Sequence, residues 1–406
     1  MLKPIVRFIE LVFDRIGLAI GYVIAGILWP FVAFAGWVRK RGIVIKATVG
    51  VIVGIIVLSY GYFTYTTQVW HGYDPDYAAR YRDKARVATA VSAGAPEPVL
   101  ADTTGTGSAG GDGSAGGDGG TGAETGAGAP ESGAAQRCRP SQIVRVTADL
   151  IDFNVNENAW VPSMFLSKLG LFGMEWKRTP WFDNKAAFQL GINAAVRRTS
   201  IELVDRLGRV RGTSGIDQNL QTARERLAYD EDAWYVSSDP FGFRTTTQGN
   251  YRTGMRSLRA FNDDLTKCTT NFDARNDNLL QFLDRVTSDI GATSEILRTR
   301  MESSNAGWFD TRADDRFWFA YGQLYAYYGI LTAARADFSD VSANRNLEAL
   351  WVRVEEQLRA SLDMTPAIIS NGGEASWVMP THLATMGFYV LRVRSNLVEI
   401  RDVLDR

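Results

Sequence analysis

Apolar positions fall into three regimes along the chain. Over the first 70 residues they are nearly continuous: "IGLAIGYVIAGILWPFVAFAGWV" (16–38) and "ATVGVIVGIIVLSYGYFTY" from Ala47 carry no charge. About 20 apolar residues, rising 1.5 Å each, cross a hydrocarbon core. The two runs therefore predict a transmembrane hairpin, its first span kinked at Pro30. Ahead of them, Ile5, Phe8, Ile9, Val12 and Phe13 share one helical face, which suits a helix lying in the interface. The alternative is a single span from Ala47 preceded by an in-plane segment. Both leave everything beyond residue 70 on one side.

From residue 137 the apolar period is helical, at alternating steps of three and four. One series runs Phe272, Asn276, Leu279, Leu283, Val286, Ile290, Thr293, Leu297; a second runs Phe317, Tyr321, Leu324, Tyr328, Leu331, Phe338; a third runs Leu383, Met386, Val390, Val393, Leu397, Ile400, Leu404. Shorter series begin at Asp183, Tyr251 and Leu347, and no β alternation persists beyond a few residues. In "RGTSGID" Asp217 reads as an N-cap, "SNGG" from Ser370 as a turn, and Thr381 in "MPTHL" as the cap of the last helix. Long helices joined by short turns imply an antiparallel bundle. The predicted fold class is all-α: an N-terminal transmembrane hairpin, a disordered Gly-rich linker and an antiparallel helical bundle outside the cytoplasm.

Between membrane and bundle the apolar signal vanishes. Residues 93–136 are almost entirely Gly, Ala, Ser, Asp and Thr, with "GSAGGD" repeated in tandem. Such a composition cannot offset the entropy of ordering, and a Gly-rich coil of this length reaches roughly 35–40 Å end to end. Gly-Asp repeats of calcium-binding rolls need a large apolar residue per unit, which is missing here. The organisation predicted is 1–70 membrane anchor, 71–92 juxtamembrane helix, 93–136 flexible linker and 137–406 helical domain. In the juxtamembrane helix, Arg80, Arg82, Lys84 and Arg86 form a solvated face or one set over anionic headgroups.

Charge then sets the sidedness. Arg39, Lys40, Arg41 and Lys46 lie between the apolar runs, and short basic loops stay in the cytoplasm. Tyr60, Tyr62, Tyr65 and Trp70 mark the far interface. Residues 71–406 are thus expected outside the cytoplasm. A cleaved signal peptide fits poorly with Glu10 and Asp14 and with a second apolar run following at once. Gly17 with Gly21, and Gly50 with Gly54, allow close helix approach, either within the hairpin or in a homo-oligomer.

Composition narrows the chemistry. The net charge of −1, with basic residues dispersed, gives no reason to expect nucleic acid. Two cysteines and two histidines match no zinc spacing, and no cofactor or nucleotide motif is present. In an oxidising periplasm Cys138 and Cys268 are expected to pair, contributing roughly 4–5 kcal/mol if unstrained.

The densest constellation is "DTRADDRFWFAYGQLYAYYG". Asp310 reads as an N-cap with Asp314 and Asp315 in the first turn, followed by Tyr321, Gln323 and Tyr325 among many rings. Either these rings line a groove for a glycan or lipid with acids at its mouth, or they fill a core and the acids favour the helix N-terminus. Asp277, Asp284 and Asp289 suit interhelical pairing with arginine better than acid–base or metal chemistry. His382 lacks an evident acid and nucleophile, so capping or packing is its expected role.

Together, "DNLLQFLDRVTSDIGATS", "DTRADDRFWFAYGQLYAYYGIL", "ISNGG", "PTHLATMGFYVLRVRSNLVEI" and "RGTSGIDQNL" resemble a family of bacterial membrane-anchored proteins, domain of unknown function 2333, over nearly all of residues 140–406. The resemblance implies an anchored envelope protein of a Gram-negative bacterium and no activity. The Gly-rich linker and the additional apolar run depart from that family. The function expected is a non-enzymatic scaffold bound to the lipid bilayer, with an envelope protein or peptidoglycan as partner. The alternatives are a lipid- or glycan-binding module and a hydrolase with a carboxylate pair. Alkaline phosphatase fused after Arg406 is expected to be active in cells, and an inactive fusion would reverse the topology.

Overall fold

The computed structural model describes residues 28–81, 139–170, 182–209, 215–238, 241–304, 310–373 and 379–406, with isolated positions besides. The expected interfacial helix and the Gly-rich segment lie outside the described residues. The chain divides into two compact units, Met1–Tyr65 and Thr66–Arg406.

In the first unit, residues 28–39 are helical and a tight turn, with Lys40 N–H donating to Trp37 O (3.2 Å) and Arg41 N–H to Val38 O (3.0 Å), leads into α1 (Ile43–Gln68). Over its most apolar window α1 has mean hydropathy 2.3 and none of it is buried. By length and composition α1 can serve as a membrane anchor or a signal segment. Among the described residues, no atom outside its own helix backbone lies within 4 Å of where a Cβ would stand on Gly21, Gly50 or Gly54. Gly17 lies outside the described residues.

The second unit is mostly helical: α2 (Gln142–Asp152), α3 (Phe165–Leu169), α4 (Asn184–Glu202), α5 (Gln218–Leu227), α6 (Thr247–Thr266), α7 (Asn276–Ser303), α8 (Ala313–Asp337), α9 (Ser339–Asn344), α10 (Glu348–Leu362) and α11 (His382–Leu404). Side-chain caps start several of them. Ser141 accepts from Val144 N–H, Asp217 from Asn219 and Leu220 N–H, and Thr246 from Gly249 N–H. Thr381 holds the N-cap position of α11 without capping it; its hydroxyl donates to Gly372 O at 3.0 Å. The apolar series of the sequence all face the core, with Leu279, Leu283, Val286, Ile290 and Leu297 of α7 fully covered.

Two features escape a helical reading. A hairpin pairs β1 (Val236–Ser238) with β2 (Phe241–Phe243), strands too short to show alternation. The Ser370 segment is more than a turn: Asn371 bridges Gly307 on one side and Thr381 on the other.

Helix pairs formed by polar contacts mostly run against each other. Asp284 of α7 meets Arg401 of α11 at 3.3 Å, while Asn276 donates to Leu404 O at 3.0 Å. Asp152 of α2 meets Arg259 of α6 at 2.8 Å. The central pair, α4 and α8, runs parallel: Asp183 at the start of α4 feels the charges of Asp314 and Asp315 at the start of α8, and Arg198, later in α4, faces Asp289, which accepts from Tyr327, later in α8. A Cβ on Gly191 would stand 2.1 Å from Phe319 O, and one on Gly322 would stand 2.1 Å from Phe188 O. The two backbones touch, and only glycine permits it. An antiparallel rule built on short turns does not apply to helices so far apart in sequence.

Residues 71–81 are not a separate lipid-surface helix: they complete the core of the second unit. Tyr77 is buried, its hydroxyl donating to Tyr325 O (2.8 Å) and accepting from Gly329 N–H (3.0 Å). Tyr81 donates to Asp149 at 2.8 Å, Trp70 stacks on Phe188 at 4.8 Å, and His71 exchanges hydrogen bonds with Asn158. Arg80 is exposed, and Arg82, Lys84 and Arg86 lie outside the described residues. The second unit begins at Thr66, so in the chain no Gly-rich segment separates it from α1. The far end of the core is closed by Asp337, which accepts from Ser141 Oγ, Gln142 N–H and Ile143 N–H at 2.7–2.9 Å, although burial lifts its carboxyl to about 6.

Gly322→Ala is expected to force α4 and α8 apart and cost about 1–3 kcal/mol. Thermal unfolding of the purified protein checks it; an unchanged Tm would mean the pair is not in contact.

Candidate functional site

Parallel packing brings two helix N-termini together, and both carry acids. Asp183 precedes α4, and Asp314 and Asp315 fill the first turn of α8. Beside them opens a cavity of about 530 Å³, lined by Asp183, Asp315, Arg316 and Phe319, by Trp176 and Phe182, and by Tyr229, Asp230, Glu231 and Asp232 opposite. Arg197 also lines it but is engaged with Glu231 at 2.8 Å. Asp232 meets Lys168 at 3.2 Å and Asp230 meets Arg244 at 3.6 Å.

Asp183 and Asp314 stand apart from these pairs. Each is 4% exposed, and no oxygen of either carboxyl makes a well-formed hydrogen bond. At an N-cap, an Asp ordinarily accepts from its own helix; Asp183 does not. Burial, then the charges of Asp315 and Asp314, lift it to about 9, against only weak support from its own and Thr179's backbone N–H. Burial first, and Asp315 second, lift Asp314 to about 7. At neutral pH Asp183 is therefore a buried neutral acid beside an open cavity. Among the described residues no group of three His, Cys, Asp or Glu side chains is placed to hold a metal.

Of the residues singled out from sequence, Asp315 lines this cavity, and Asp314 lies buried next to it in the first turn of α8. Tyr321, Gln323 and Tyr325 are buried and do not line this cavity; Tyr325 reaches the wall of a separate cavity of about 230 Å³ beside Tyr77 and Tyr81. Tyr321 is fully buried, shares a hydrogen bond with Tyr73 and donates to Leu362 O at 2.8 Å. Tyr325 stacks on Tyr77 at 4.4 Å and donates to Asp74 O at 3.2 Å. Gln323 accepts from Thr293 (2.6 Å) and donates to Asp289 (2.9 Å), which also accepts from Tyr327 at 2.6 Å and faces Arg198 at 3.8 Å. His382 sits apart, accepting from Ser370 N–H at 2.9 Å, with burial holding its pKa below the usual value. Asp310 is not the cap of α8, a position held by Arg312. It accepts instead from Asn371 and pairs with Arg300; burial pushes its carboxyl up, but these partners outweigh that and hold it below the ordinary range. Cys268 is disulfide-bonded, and Cys138, the chain's only other cysteine, lies outside the described residues.

The family model described as an uncharacterised protein conserved in bacteria, DUF2333, matches residues 177–307 and 298–406. The chain belongs to this family. The DUF2333 match starts later than the resemblance over 140–406, leaving α2 and α3 outside it, but it includes Asp183, Asp230–Asp232, Asp314 and Asp315. No curated protein and no solved structure matches the chain.

Asp183 in the DUF2333 domain gives a signed pH dependence. Its folded pKa lies above the unfolded one, so the native state retains a proton that the unfolded chain releases above about pH 4. Stability falls as pH rises from there to about 9, by at most about 1.4 kcal/mol per unit. Asp183→Asn is expected to flatten the fall in Tm between pH 5 and 9; parallel curves for the two proteins would mean a solvated carboxyl.

Proposed function

We propose that the protein is a membrane-anchored binding module facing the periplasm, and that its cavity takes a ligand bearing an ammonium group. The basic turn Arg39–Arg41 supports the sidedness. One observation carries the ligand class: Asp183 is buried at a cavity wall, and among the described residues no cation pairs with it and no well-formed hydrogen bond reaches its carboxyl. An ammonium brings charge and three donors to such a carboxyl, and Trp176, Phe182 and Phe319 offer rings to the attached carbons. Five acids against two arginines give the lining a negative balance. The scaffold reading becomes a special case, in which the ammonium belongs to a lysine side chain of an envelope protein.

A hydrolase reading has one observation in its favour, the Asp314 carboxyl at about 7, since a general acid works best near the operating pH. Turnover lost in Asp314→Asn with binding retained would move the assignment there.

Binding to Asp183 must expel its proton. Titration of the full chain in detergent with 1,5-diaminopentane is expected to release up to one proton per amine and to tighten by up to about tenfold per unit between pH 6 and 9. Asp183→Asn is expected to abolish the pH dependence. Equal binding of 1-pentanol, or pH-independent binding, would overturn the ligand class.

A further inference from the structure

Among its described residues the second unit exposes a cluster of large apolar side chains. Phe241 and Phe243 are 86% and 93% exposed. Two apart on one strand, they share a face, and Val236, cross-strand partner of Phe243, joins them, itself exposed. Trp234, at the foot of the hairpin, stacks on Phe165 of α3 at 5.0 Å, and Phe165 and Leu169 are themselves half exposed or more. An apolar patch of this kind on a soluble surface marks an interaction site.

Its position in the fold indicates what covers it. Met164, the residue before Phe165, accepts a hydrogen bond from Thr66 Oγ1 at 3.8 Å. Lys185, at the start of α4, donates to the carbonyls of Thr66 (2.8 Å) and Val69 (2.7 Å). These carbonyls close the last turn of α1 and the residue after it. In sequence they fall among Tyr62, Tyr65 and Trp70, the aromatic belt of a bilayer interface. A helix of α1's length is about 39 Å long, longer than the roughly 30 Å hydrocarbon core. The aromatic cluster thus starts beside Thr66, in the last turn of α1. Charge does not oppose contact, because Asp230, Glu231 and Asp232 behind the hairpin are met by Arg244, Arg197 and Lys168.

We infer that Phe165, Leu169, Val236, Phe241 and Phe243 dock on the lipid surface of the membrane that α1 enters. The rings enter the headgroup boundary while the hairpin backbone remains paired, as interfacial segments do. The docking rests on α1 spanning the bilayer and not on the identity of the cavity's ligand.

The test uses the full chain in nanodiscs of phosphatidylethanolamine and phosphatidylglycerol, one protein per disc. Phe243→Cys and, separately, Arg345→Cys are labelled with an environment-sensitive nitrobenzoxadiazole dye without reductant, leaving the Cys268 disulfide intact. Both sites are exposed, so folding is not at stake, and Arg345 lies beyond the opposite end of α8, about 37 Å along its axis. The dye at residue 243 is expected to shift to the blue and to be quenched about twofold or more by lipids spin-labelled near the headgroup, with little change at residue 345. Equal quenching at the two positions overturns docking. A blue shift at residue 243 without lipid quenching also overturns it, since the cover is then protein. Failure to enter nanodiscs at all would strike the reading of α1 instead.

Discussion

Contact between two backbones governs this molecule. Gly191 of α4 and Gly322 of α8 each press against a carbonyl of the other helix, and the contact holds the two helices side by side. Parallel packing aligns the helix dipoles unfavourably and puts two positive N-terminal ends together. Acids at those ends moderate this repulsion, and Asp183, Asp314 and Asp315 supply them. Having been gathered, the acids repel one another in a place with little water, so two of them hold protons at higher pH than an ordinary carboxylate. The candidate site is thus a consequence of helix direction more than of any local motif. Had α4 and α8 run antiparallel, Asp183 would face the Asp337 end of α8.

The second constraint is the entry of the chain. Tyr77 fills the space that Gly329 leaves open, where a Cβ would lie 2.3 Å from its hydroxyl. Lys185 spends its ammonium on two backbone carbonyls, and burial lowers its pKa to about 8. A buried cation held only by carbonyls is costly to keep. Its placement ties the start of α4 to residues 66–69, which the Gly-rich segment cannot do because it follows Tyr81 in the chain. That segment is bounded on both sides by residues of the same unit.

Helix positions were legible because a buried face repeats every three or four residues whatever the helix packs against. Asp217 was legible because capping is local, and Asp284 and Asp289 meet arginines of other helices as expected, whereas the arginine that Asp277 meets is Arg275, two residues before it. Three things were not legible. The hairpin strands hold three residues each, below the length at which alternation registers. The direction of α4 against α8 depends on long connections that carry no turn signal, so Asp183 read only as a helix start. The role of residues 71–81 did leave a trace: Tyr73, Tyr77 and Tyr81 recur every four residues. Rings buried against Tyr325 and Phe188 outweigh charges that remain in water.

These constraints converge on one end of the fold. Lys185 and Asp183 flank the first residue of α4, and a side chain two positions away on a helix points to a different face. One face meets the carbonyls at the chain's entry; the other meets the acids of α8. The short helix α3 divides in the same way, with Ser167 in the cavity wall and Phe165 and Leu169 in the exposed cluster. Residues 229–235 repeat the division, acids and Tyr229 inward, Tyr235 outward. Cavity and apolar cluster are therefore two sides of one layer of backbone. A change that shifts α3 against Trp234 cannot alter one without moving the other. The tertiary packing that couples them has its fixed point at the contact of Gly191 and Gly322, inside the unit and away from both surfaces.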